Sequence, residues 1–321
     1  MSYRDRDRDS IEPPLPKPYK FVPLPEGHIP IEPPTGHHRY QAGRLNGTLT
    51  ATIIARSPVH VASGLLEPKN DRTYPMVKGH FRTGSRPAIP GTSLKGCIRS
   101  IVEAISRSSV QVTRARELPR EYQPSRQIDQ LDVAHRIFGS LGYQGMVRFS
   151  DALLERGDTV IVPSVQLFRP RQEAVDTYFD GRRPRGRKFY MHGALAKGNL
   201  PLEACPVESR FGMRMEFENL TAGELGLVLT ALGLGEPKLW PKLGGGKPAC
   251  LGTIEVTGIA LTGLDTTAAY TDFDAQPQSL DTATLLAAAR AEKLVLEPQL
   301  AQLAEVLRWP REDRECPDRS Y

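Results

Sequence analysis

The octapeptide Ile89-Pro90-Gly91-Thr92-Ser93-Leu94-Lys95-Gly96 is a turn aimed into a helix, with two hydroxyls at the helix start and a lysine in its first turn. A helix N-terminus presents backbone N–H groups that no intrahelical carbonyl uses, so this combination makes a seat for an anion, phosphate above all. Lys95 and Arg99 lie four apart near the positive end of the helix dipole, where a cation is disfavoured unless an anion sits beside it. An ordinary amphipathic helix with solvated basic residues has the same spacing, so the surroundings decide between the two. Those surroundings are basic. Between Lys78 and Arg126 there are ten Lys/Arg against three Glu, and between Arg169 and Lys188 seven against three Asp/Glu. Clusters rich in arginine suit bidentate phosphate contacts and stacking on bases, which points to nucleic acid.

The elements that must position these residues follow from periodicity. Leu94, Cys97, Ile98, Ile101, Val102 and Ile105 give the helix one buried face. Before it, Leu45, Leu49, Ala51 and Ile53 alternate with Asn46, Thr48, Thr50 and Thr52, a strand with one polar face. A loop over 57–91 is expected between the two. After the helix come a short helix at 129–138 ending at Gly139, a strand at Met146–Ser150, and an irregular basic insertion at 158–210. Met213, Met215 and Phe217 then mark a strand, Thr221 with Glu224 a capping box, and Leu225, Val228, Leu229 and Leu232 a helix. The turn LGGGKPACLG feeds a last strand at Ile254–Val256, and helical patterning returns at 282–294 and 298–308. The order is β-α-β-(insertion)-β-α-β, an α+β chain with a ferredoxin-like or RRM-like βαββαβ core. Three parts are expected: an extended proline-rich arm over 1–42, with nine prolines from Pro13 to Pro34; the core over 43–262; and a helical extension over 263–321. Phe21, Val22, Leu24, Ile29 and Ile31 require part of the arm to dock, on this subunit or a neighbour.

The chain has 321 residues, 39% of them hydrophobic, and no apolar run near ~18 residues, so no membrane span is expected. The start MSYRDRDRDS has no apolar core of a secretory signal, and Cys97, Cys205, Cys250 and Cys316 form no Cys-x-x-Cys pair. A reducing, cytoplasmic setting and no dedicated metal site are expected. The net charge of +5 is unevenly placed: residues 265–321 carry eleven acidic and six basic side chains, leaving a body of +10. The tail's apolar stripe (Leu285, Leu286, Ala289, Leu294, Leu296, Leu300, Leu303, Leu307) suits packing on its own core or on a neighbouring subunit.

Four segments carry a resemblance: PVHVASG, IPGTSLKGCIR, HRIFGSLGYQGMVRFSDALL, and ENLTAGELGLVLTALG followed by LGGGKPACLGTIEV. In this order they resemble the RAMP superfamily of CRISPR-associated proteins. PYKFVPLP and RGRKFYMH further resemble a subgroup found with type III effector loci, similar to the Csm- and Cmr-type backbone subunits that stack along a CRISPR RNA (crRNA). The resemblance implies a ribonucleoprotein of antiviral defence with crRNA, target RNA and other effector subunits as partners. It places Gly91, Ser93, Lys95 and Arg99 at one end of a guide groove and Gly244, Gly245, Gly246 and Lys247 at the other, where main-chain amides free of side chains can approach phosphates. It makes the insertion a thumb, with Arg182, Arg183, Arg185, Arg187 and Lys188 on the RNA backbone and Phe189 and Tyr190 as wedge or stacking residues.

Some members of that family cut target RNA with an aspartate in the loop before the first helix. Asp71 is the aspartate of that loop here, with Glu67 as a second carboxylate, His60 or His80 as proton-transfer partner, and a divalent metal such as Mg as helper. His60, at a strand end, is equally a packing or RNA-contacting residue. Whether the chain is an endoribonuclease stays open at this point. So do two other roles: a guide-processing endoribonuclease, and a purely structural assembly subunit.

Overall fold

A computed structural model describes residues 16–110, 118–167, 177–181, 183–272 and 274–318. The Arg-Asp run at positions 4–9 and Arg182 lie outside the described residues. In chain order the elements are β1 (Tyr19–Val22), β2 (Leu45–Ala55), β3 (Ala62–Pro68), β4 (Met76–His80), β5 (Arg82–Thr83), β6 (Arg86–Ile89), α1 (Gly91–Ile105), α2 (Val133–Phe138), β7 (Gly139–Ser140), β8 (Tyr143–Gln144), β9 (Val147–Phe149) and β10 (Ala152–Arg156). The insertion supplies β11 (Val160–Ser164), β12 (Phe179–Asp180), β13 (Arg183–Pro184), β14 (Arg187–Tyr190) and β15 (Leu200–Ala204). There follow β16 (Arg210–Leu220), α3 (Ala222–Ala231), β17 (Ile254–Gly263), α4 (Thr266–Thr271), β18 (Gln278–Ser279), α5 (Thr282–Ala291) and α6 (Glu297–Val306).

The main sheet runs β18-β17-β2-β16-β10-β6-β5, with β9 also on β16 and every pairing antiparallel. Its centre, β17-β2-β16-β9/β10, is compatible with the expected βαββαβ core. The alternation seen in the sequence divides its two faces. Leu49, Ala51, Ile53, Phe211, Met213, Met215 and Phe217 are buried beneath α1 and α3. Thr50, Arg214 and Glu216 face outward, where Arg214 pairs with Glu216 at 3.1 Å. Neither β2 nor β16 therefore offers an outward ring on which a base could stack, the usual device of an RRM sheet.

Helix α1 buries Leu94, Ile98, Ile101, Val102 and Ile105, as its spacing requires. Helix α3 has the expected capping box and is buried along its length, because α5 covers the side turned away from the sheet. Leu285, Ala289, Leu300, Leu303 and Leu307 join the same core, so the tail's apolar stripe packs on its own chain.

Two expectations need correction, and one open choice is decided. The segment 57–91 is a folded β-structure rather than a loop: β3 and β4 form a hairpin in a second sheet, β11-β15-β4-β3, and β5 and β6 extend the main one. Its strands were hidden because β3 is mostly exposed and lacks an alternating face. The arm docks on this subunit, β1 pairing antiparallel with β14. The cysteines are not all free: Cys250 and Cys316 form a disulfide, which removes the basis for inferring a reducing setting from the absence of a Cys-x-x-Cys pair. Cys97 and Cys205 remain thiols. No helix among the described residues is long and apolar enough to cross a membrane.

Candidate nucleic-acid interface

The start of α1 is already partly satisfied by protein. Gly91 N–H donates to Asp151 Oδ1 (2.9 Å), whose other oxygen accepts from Thr83 Oγ1 (2.8 Å), while Ser93 N–H and Leu94 N–H return to the Pro90 carbonyl. Asp151 follows the kink between β9 and β10, so the strand that abuts the helix also supplies its anion. Position 91 must be glycine, because a Cβ there would lie 2.1 Å from the Phe149 carbonyl oxygen. The next cations meet different fates. Arg99 donates to Glu103 (2.7 Å) and to the Gly139 carbonyl (2.8 Å). Lys95 forms no ion pair among the described residues; burial, then Arg99 and Arg148, push its ammonium pKa down. Such a group is favoured by an arriving anion.

The glycine run packs over β2's exit. Gly245 N–H donates to the His60 carbonyl (2.8 Å), and a Cβ on Gly244, which sits at φ +82°, would come within 2.3 Å of that oxygen. Gly246 starts a single 3-10 turn, Lys247–Ala249, and Lys247 has no carboxylate partner among the described residues.

The segment RKFY is a half-buried strand paired with β1. Arg187 pairs with Glu103, a carboxylate 2% exposed that also holds Arg99, which ties β14 to α1. Lys188 Nζ lies over the rings of Tyr19 (4.8 Å), Tyr190 (5.1 Å) and Tyr178 (5.2 Å) and donates to Tyr178 Oη. Phe189 packs against the main core. The orientation of Phe189, expected to wedge into RNA, is set by β1, a partner strand more than 160 residues away in sequence. Arg183 and Arg185 are exposed on and beside the small β12–β13 hairpin, and Arg185 donates to the Phe179 carbonyl.

The middle of α1, β14 and Lys247 meet at one recess, which Gly91, Ser93, Lys95, Arg99, Gly244, Gly245 and Gly246 do not line. This recess of about 230 Å3 is walled by Cys97 and Ser100 of α1, by Arg187 through Tyr190 of β14, and by Lys247 beside the glycine run. Its remaining cation, Lys242, was not singled out by sequence. In Leu-Trp-Pro-Lys-Leu it reads as a solvated residue before a turn, and the only hint was a lysine amid apolar neighbours.

The proposed catalytic residues lie elsewhere, on the β3–β4 hairpin. Asp71 is exposed at the tip, where its Oδ1 accepts from the backbone N–H of Thr73 (2.8 Å) and Tyr74 (2.9 Å), the work of a turn-forming aspartate. Glu67 reaches Lys69 (3.5 Å) and Arg82 (3.7 Å). His60 and His80 are buried, 3% and 1% exposed, which accords with packing, one of the readings the sequence left open for His60. His60 Nδ1 donates to the Glu203 carbonyl (2.6 Å), and desolvation lowers its pKa. His80 Nδ1 accepts from Val61 N–H, leaving its proton on Nε2 towards Cys205, and burial with the nearby His60 brings its pKa to about 4. Beneath them Glu203, 1% exposed, collects Arg82, Lys69, Thr159 and the His80 amide. No group of three His, Cys, Asp or Glu side chains among the described residues could hold a metal.

The family model of the RAMP superfamily matches residues 52–255, from the middle of β2 to the start of β17. The chain belongs to the RAMP superfamily. It is therefore a CRISPR-associated protein of an RNA-binding family, and the match spans α1, the insertion and the glycine run. No curated protein matches the chain. In this RAMP protein the recess is walled by elements within the matched span except for Leu307, while β1 and α6, which brace β14, also lie outside that span.

Proposed function

We propose that this RAMP protein is a crRNA-binding backbone subunit of a type III CRISPR effector ribonucleoprotein, working in the cytoplasm beside other effector subunits and helping to position target RNA. The observation that carries the reading is the meeting at one recess of α1, β14 and the residue that follows the glycine run, with Lys242 and Lys247 in its lining and no carboxylate paired to either among the described residues. The polar outer face of β2 and β16 supports it indirectly, since a guide gripped by its phosphates needs no stacking sheet. The purified chain should bind single-stranded RNA with an affinity that falls as salt rises, and a duplex DNA of equal length more weakly. Fluorescence anisotropy over a salt series measures this; equal or absent binding to both would remove the reading.

Target cleavage at Asp71 is a separate proposal within this reading. Its support is that the hairpin tip holds Asp71 exposed and clear of the buried Glu203 cluster. Asp71→Ala should abolish cutting of guide-paired RNA in the presence of Mg while leaving guide binding unchanged. Cleavage that persists in the variant complex takes Asp71 out of the chemistry and leaves a scaffold.

A further inference from the structure

We infer that the recess is a pocket for one phosphate group of a bound ribonucleotide chain, with the side chain of Lys242 as its floor and that of Lys247 as its rim. This rests on the RNA-binding reading and specifies where a phosphate is held: behind the middle of α1, rather than at the helix start, where Asp151 already occupies the first amide.

Lys242 is 6% exposed, and its ammonium donates one hydrogen bond, to the Met191 carbonyl at 2.7 Å. An ammonium has three donors, and burying a cation without a counter-charge is expensive. The groups nearest in charge to it are Arg314 and Lys247, both cations, and together with desolvation they press its pKa well below the usual lysine value. His192 does not help, since it is neutral: its Nε2–H donates to the Trp240 carbonyl, its Nδ1 meets Thr253 Oγ1, and burial brings its pKa to about 3. Stability alone would favour an apolar side chain here. A lysine at this place is explained by an anion that arrives later.

The site is also rigid. Lys242 bridges Thr253 through its backbone, and the Cys97 thiol donates to the Lys242 carbonyl. The wall opposite is β14, whose own cations are held by Glu103 and by the tyrosines and so shape the recess without closing it. A fixed amine in a low-dielectric recess is held charged by a phosphate that arrives beside it, and the pair is then stronger than one made by a mobile surface lysine. The shared chemistry is a phosphate oxyanion, from RNA or from free phosphate.

The test uses the full chain with Lys242→Met and Lys247→Ala, and two probes, a 20-nucleotide single-stranded RNA and inorganic phosphate. Lys242→Met should melt at or above the wild-type temperature yet bind the RNA about tenfold more weakly, with a salt slope shallower by about 0.7. Lys247→Ala should weaken RNA binding in the same direction, and phosphate should raise the melting temperature of wild type but not of Lys242→Met. A folded Lys242→Met with wild-type RNA affinity and salt slope overturns the pocket. Stabilisation by phosphate without any RNA binding by wild type upholds the pocket while removing the RNA reading, and no response to either probe overturns both.

Discussion

Replacing Glu203 with Gln should cost about 3 kcal/mol of stability, far more than its chemical modesty suggests. The carboxylate accepts two bonds from Arg82 (2.7 and 2.9 Å), one from Lys69 (2.8 Å), one from Thr159 (2.9 Å) and one from the His80 amide (2.8 Å). The amide of Gln puts an NH2 group among donors and removes the charge closest to Arg82 and Lys69, leaving them only the longer contacts to Glu67 (3.7 and 3.5 Å). Breaking a buried pair from one side costs about 3–5 kcal/mol. Lys69 and Arg82 retain 29% and 27% side-chain exposure and regain some hydration, so the lower end applies. Acid supplies an internal control. The folded-state pKa of Glu203 is depressed, chiefly by Arg82 and Lys69 against an opposing desolvation, so its contribution is complete above the unfolded value of about 4.3. It is lost as pH falls through the folded value. Urea unfolding followed by circular dichroism should therefore show a deficit for Glu203→Gln that is full at pH 7 and shrinks below about pH 4. A deficit under about 1 kcal/mol at pH 7, with an unchanged m-value, would refute the claim that the cluster ties β15 to the β3–β4 hairpin.

Other outcomes test the same structure elsewhere. Cys316→Ser removes a link spanning 66 residues and should cost about 4 kcal/mol by loop entropy, visible as a lower melting temperature that reductant reproduces in wild type and not in the variant. Gly91→Ala, whose Cβ would sit 2.1 Å from the Phe149 carbonyl oxygen, should destabilise by about 2 kcal/mol or more in denaturant titration. Glu103→Gln leaves Arg99 and Arg187 without their shared carboxylate and should lower stability by about 3 kcal/mol without weakening RNA binding, because both freed groups are cations.

What could be read in the sequence followed from local regularity. The α1 face, the threonine side of β2 and the Thr221–Glu224 capping box each depend on neighbours within one or two turns, and each is present. The β3–β4 hairpin escaped because an exposed strand needs no apolar alternation, so Leu65, Leu66 and Met76 looked like loop residues although they sit outside on paired strands. Phe189 and Lys188 were read as free RNA contacts because nothing near them in sequence names β1 as their partner. Lys242 and the Cys250–Cys316 link were illegible for the same reason: burial of a lysine and proximity of two cysteines are properties of the folded chain alone. In the glycine run, position 244 is glycine because of the His60 carbonyl, whose oxygen a Cβ would meet at 2.3 Å, a contact that the sequence could not show.

The pairing of β1 with β14, with α6 packed on both, sets an order of events during synthesis. The main sheet has its central strands once β17 has left the ribosome, and it can fold while the chain is still being made. The recess cannot be finished then, because Leu307 completes its lining and follows α6. If the recess holds RNA as proposed, it does so only in a chain whose residues 297–307 have been released. On that proposal, a nascent chain is kept from binding RNA before its tail is in place.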